Sequence, residues 1–139
     1  MRELQCADLI LHGGDVVAAS VLRELSALAP VEAVYGNMDE PALRETLPER
    51  RVVEVEGARI GMVHIAGPAV GREERLVSWF PACAATVYGH THVPQLERHR
   101  GVWILNPGSP TERRRAPRRS MLVLEVAGRR LHPRLVALP

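Results

Sequence analysis

The sequence predicts an α/β fold, two packed β-sheets flanked by helices, and three observations carry that expectation. Strand-like apolar runs alternate with helical periodicity over the first half of the chain. Short β-rich segments punctuated by Gly101, Gly108 and Gly128 fill the second half. Early strands stop abruptly at a glycine followed by a polar residue, as in Gly14-Asp15 and Gly36-Asn37.

In chain order, Asp8 to Leu11 is a short apolar run that ends in His12-Gly13-Gly14-Asp15, a buried strand followed by a turn. From Val16 to Leu28, Val17, Val21, Leu25 and Leu28 recur at helical spacing, and Pro30 stops the helix. Val31 to Tyr35 is β-rich and leads into Gly36-Asn37-Met38-Asp39. A short helix over 40–47 follows, with Pro41 in its first turn. The runs 51–56 and 59–64 flank Gly57-Ala58 and predict a hairpin. After Gly67-Pro68, residues 71–80 form an amphipathic helix whose Trp79-Phe80 pair is expected in the core. A strand over 85–88 closes at Gly89-His90-Thr91-His92, and strands over 95–99, 102–105, 120–126 and 131–138 complete the chain. No internal repeat and no long linker divides it, so 139 residues are expected to form one domain.

Composition excludes several classes. With 46% apolar and 24% charged residues the chain has an ordinary globular balance. No apolar run reaches the roughly 18 residues a bilayer span needs. Residues 1–6 lack the apolar core of a secretory signal, so a cytoplasmic protein is the expectation. Cys6 and Cys83 lie in apolar surroundings outside any CxxC pair, and two buried reduced thiols are expected. All 18 basic residues are arginine, which points to a GC-rich genome and not to nucleic acid as a partner. The run Arg113-Arg114-Arg115 with Arg118-Arg119 reads as a solvated loop.

The chemistry concentrates at strand ends. Asp15, Asn37, His64 and His90 each close a predicted strand, and ligands of open α/β sheets bind outside the carboxyl ends of strands. Singly, each has a plainer role: Asp15 as a helix N-cap, Asn37 as a turn residue, His64 as a hydrogen-bonded strand-end histidine. Together they form a mixed nitrogen and oxygen set without sulfur, which suits manganese, iron, nickel or zinc better than calcium. Asp15 has two oxygens and can bridge two ions. His90 and His92, two apart in an extended segment, are expected to project to one side.

Gly14-Asp15-Val16, Gly36-Asn37-Met38-Asp39, His64, Gly89-His90-Thr91-His92 and Asn106-Pro107-Gly108-Ser109 resemble, in order, the motif blocks of the calcineurin-like metallophosphoesterases. The similarity is to the small bacterial and archaeal phosphodiesterases, a branch to which a eukaryotic retromer subunit of similar fold is related. The resemblance implies a helix-flanked β-sandwich with a two-metal centre, manganese being the favoured ion. Asp15 would bridge, Asn37, His64 and His90 would complete one metal position, and His92 would serve the other. Asn37 and His64 are also the candidate catalytic residues. The ions would bind the phosphate ester and activate a water for in-line attack. Asn106 to Ser109 is expected to shape a turn. A non-catalytic interaction scaffold of the same fold is the alternative, and self-association is a further expectation.

Two departures modify this. The family's first Asp-x-His block is absent, so an upstream start, or else a shortened relative, is expected. With Asp15 as the single carboxylate, two divalent ions a few ångströms apart repel strongly. One ion bound well, or two weakly with phosphate, is therefore expected. The second departure is Met38, which stands where many relatives carry a proton-donating histidine and has no proton to give. Good leaving groups such as aryl phosphodiesters need such help least.

Overall fold

A computed structural model describes residues 7–14, 19–37, 39, 41–109, 120–127 and 130–137. Asp15, Met38, Cys6, the predicted helix start at Val16 and the arginine run 113–119 lie outside the described residues.

Among the described residues, β1 (Ile10–His12), α1 (Ala19–Ser26), β2 (Val31–Ala33) and α2 (Pro41–Thr46) come first. Then follow β3 (Arg50–Val55), β4 (Ala58–Val63), α3 (Arg72–Trp79), β5 (Ala85–Tyr88), β6 (Gln95–His99) and β7 (Val102–Asn106), and last β8 (Ser120–Ala127) and β9 (Arg130–Ala137). Each matches a sequence expectation to within a few residues at its ends. The order in space does not follow the chain: β3-β4-β5-β7-β6 form a five-stranded sheet, while β1-β2 and β8-β9 are separate pairs.

Period-two alternation builds the layers. Val53, Ala58, Ile60, Met62, Ala85, Val87 and Leu105 face one way from the central sheet and meet Val34 and Leu131, with Leu9, Leu11, Leu122 and Leu124 packed alongside. The two strand pairs thus form the second layer of a sandwich, as expected. Val63, Tyr88 and Ile104 face the other way and meet Leu76 and Phe80 of the α3 region. Phe80 is core, but Trp79 is only half-buried, with the Arg50 guanidinium 3.8 Å above its ring. Gly61 is what lets Phe80 so close: a Cβ there would lie 2.3 Å from the Phe80 ring.

The helices carry their own reasons. Pro41 occupies the first position of α2, where its missing N–H costs nothing, and Leu43 is the side chain α2 buries. Glu73 and Glu74 sit in the first turn of α3, favourable to its dipole, and Leu76 is its buried anchor. The Cys83 thiol is free and buried, and that burial raises its pKa, making it a packing residue more than a reactive one.

Thr86 is fully buried, and its hydroxyl has no hydrogen-bond partner among the described residues. An unpaired buried hydroxyl costs roughly 1–3 kcal/mol. Thr86→Val keeps the shape and removes the group, so urea unfolding should give a midpoint above wild type. A lower midpoint would show that the hydroxyl is paired.

Candidate metal centre

Strand direction gathers the site. β1 and β2 run parallel in one layer, and β4 and β5 run parallel in the other. Gly13, Asn37, His64 and His90 follow the carboxyl ends of these strands, and the contacts of His64 with Gly13 and Asn37 bring the ends to one edge. Gly89 N–H donates to the His64 carbonyl at 3.0 Å, joining the last two turns.

His64 is the hub. It is 4% exposed, and its Nδ1 lies 2.8 Å from the Gly13 carbonyl, across the two layers. A carbonyl only accepts, so Nδ1 carries the proton and the Nε2 of a neutral ring offers a lone pair. That lone pair faces Asn37 Oδ1 at 2.9 Å, and His90 Nδ1 approaches the same oxygen at 3.2 Å. The two rings meet edge to face with centroids 5.3 Å apart. Acceptors pointed at one another are stable when a proton or a cation lies between them, or when the Asn37 amide turns its NH2 inward. The neutral nitrogen and oxygen donors of Asn37, His64 and His90 thus fit a borderline divalent cation. Among the described residues no three His, Cys, Asp or Glu side chains form an ion cage by themselves.

Backbone geometry holds these side chains. Gly14 has φ +103°, and a Cβ there would fall 2.7 Å from His64 Nδ1, so both conformation and space demand glycine. The segment after β5 corrects one expectation: His90 and His92 have φ of 69° and 60°, so they sit in a left-handed turn and not in an extended run. Their placement follows from that turn, not from strand alternation.

Two residues that sequence reasoning left without a site role maintain it. Asp39, buried, accepts the Gly36 N–H at 2.7 Å and stitches the turn that presents Asn37. Asn106, fully buried at the end of β7, donates to Thr91 Oγ1 at 3.0 Å and to the Gly89 carbonyl at 3.4 Å. Its Oδ1 accepts the Gly108 N–H, so the expected turn does form there. The signals in the sequence were their motif blocks, Gly36 to Asp39 and Asn106 to Ser109, and for Asn106 scarcity, since Asn37 and Asn106 are the only asparagines.

Residues 1–129 match the calcineurin-like phosphoesterase superfamily domain. The chain belongs to that superfamily. It is 37% identical to a probable metallophosphoesterase of Methanothermobacter thermautotrophicus over 93% of its own length and 75% of the relative's. A probable metallophosphoesterase of Methanocaldococcus jannaschii is also 37% identical, over 89% of this chain and 64% of that protein. A Thermotoga maritima protein solved in solution aligns with a TM-score of 0.74 and 34% identity, covering 97% of this chain and 83% of that one. Vps29 of Entamoeba histolytica, crystallised with zinc, aligns at 0.77 with 23% identity over 98% of this chain and 86% of its own, a likeness of fold. Membership implies divalent metal ions and phosphate-ester chemistry.

Asn106→Ala removes the partner of Thr91, Gly89 and Gly108 at once. Buried groups left unpaired should cost about 1–3 kcal/mol of stability, and amide NMR shifts should move over residues 89–92. A variant with wild-type stability and an unmoved 89–92 backbone would show that Asn106 does not hold the histidine turn.

Proposed function

We propose that this chain is a divalent-metal-dependent phosphodiesterase working at the edge where Asn37, His64 and His90 meet. The observation that carries the reading is the shared focus of two imidazole nitrogens on one amide oxygen, with the His64 tautomer fixed by Gly13. Asp15 and His92 complete the donor set, and manganese is the favoured ion, with nickel, iron or zinc suited to the same donors. A divalent ion held there supplies Lewis acidity to the phosphate oxygens and to water.

The chain's own contribution is placement and charge. With Nδ1–H given to the Gly13 carbonyl, Nε2 is the nitrogen His64 would offer an ion. Asn37 contributes a neutral oxygen, so Asp15 is the single carboxylate of the set, and one ion bound tightly follows from that charge count. Met38 offers no proton to the departing oxygen, which favours substrates whose leaving group is already stable, such as aryl phosphodiesters. Among the described residues no helix is long and apolar enough to cross a membrane.

The test is turnover of bis(p-nitrophenyl) phosphate with Mn²⁺, alongside metal analysis of the purified chain. Hydrolysis should require the metal and fall by roughly 100-fold or more in His90→Ala and Asn37→Ala. One tightly held ion per chain is expected. Metal-independent turnover, or turnover unchanged in both variants, contradicts the proposal. A folded wild-type chain without turnover supports the interaction scaffold instead.

A further inference from the structure

The five-stranded sheet has a second end. There a cleft of about 570 Å³ opens between the layers, walled by Ala84, Arg98, Trp103, Arg130, Leu131 and His132. Ala84 precedes β5 while His90 follows it, and at about 3.3 Å per residue this puts the cleft roughly 20 Å from the metal centre. The volume falls in the range of roughly 300–1,000 Å³ usual for small-molecule sites.

Alternation along β6 sorts its charges. Gln95, Glu97 and His99 lie on the α3 face, where Gln95 bonds Glu73 and Glu97, and His99 pairs with Glu74. Arg98 lies on the opposite face, 4.6 Å over the ring of Trp103, its cross-strand partner. Arg51 and Arg100 each pair with a carboxylate, but no ion pair joins Arg98 or Arg130 to one among the described residues. Among the described residues no acidic side chain lines the cleft. Arg130 and His132 are exposed on either side of the buried Leu131, so Arg98 is the cation within the cleft and Arg130 one at its mouth. The Trp103 indole N–H is buried beside them without an acceptor among the described residues.

We propose that this cleft binds a small organic anion, with the size and charge of a nucleotide, separately from the metal centre. Guanidinium forks suit phosphate oxygens, and the indole and Leu131 give the apolar wall a ring needs. Binding draws Arg98 from the face of the indole toward the ligand. The environment of Trp103 therefore reports occupancy.

The test uses ATP as probe, with EDTA present so that the metal centre takes no part. In a Trp79→Phe background the emission comes from Trp103, and it should change saturably with ATP. Equilibrium dialysis of ATP against the wild-type chain is the parallel measurement, needed if Trp79→Phe does not fold. Arg98→Ala/Arg130→Ala should weaken binding by roughly tenfold or more and leave Mn²⁺-dependent turnover unchanged. His90→Ala should bind ATP as wild type does. No saturable binding up to about 10 mM, equal binding by the double variant, or loss of binding in His90→Ala overturns the proposal. Competition by uncharged adenosine at equal strength overturns the anion assignment.

Discussion

The hydrogen bond from His64 Nδ1–H to the Gly13 carbonyl, 2.8 Å long, spans the sandwich at the edge of the candidate site. One partner follows β4 of the central sheet, and the other follows β1 of the opposite layer. Because a carbonyl accepts and never donates, this contact also decides which imidazole nitrogen faces Asn37. Gly14 must then be glycine, since any side chain would strike the ring. The Gly89 amide donates to the His64 carbonyl and brings the His90 turn into the same frame. Packing, tautomer and donor geometry at this edge are thus one constraint.

Charge is distributed unevenly over the molecule. On the proposed reading the donors seen at the metal edge are neutral, and a bound ion is balanced by Asp15 and by the phosphate of its substrate. Affinity for metal and for phosphate would then be coupled, each ligand supplying what the other lacks. On the α3 face, Glu73, Glu74 and Glu97 gather around Gln95, His99 and Arg100. The Glu73 carboxyl is held below its usual pKa by a backbone hydrogen bond first and by Gln95 second. On the interlayer face of β6, Arg98 is the one charged residue, beside Leu96. A single strand, read on alternate residues, therefore separates an acid-rich surface from a basic cleft.

The elements and three of the site residues were legible in the chain because local signals coincide with them. Pro30, Pro41 and the Gly57-Ala58 turn mark element ends, and Asn37, His64 and His90 each follow a β-rich run that breaks at a turn. The strand order was not legible, since β7 lies between β5 and β6 through pairings that no local pattern encodes. The left-handed backbone of His90 and His92 was hidden for a related reason: nothing but the surrounding contacts forces a non-glycine residue there. Asp39 and Asn106 act on the site through backbone amides and a threonine hydroxyl, so their roles emerge only once the turns they hold are seen. Asp15, the pivot of the sequence reading, lies outside the described residues, and its bridging role stays part of the proposal.

On the proposed function His64 and His90 present particular nitrogens to one ion, and ring ¹⁵N NMR of the wild-type chain titrated with Zn²⁺ measures this directly. His64 Nε2 and His90 Nδ1 should shift on binding while His64 Nδ1 keeps its proton. Ring signals that ignore the metal, or a shift centred on His64 Nδ1, would contradict it.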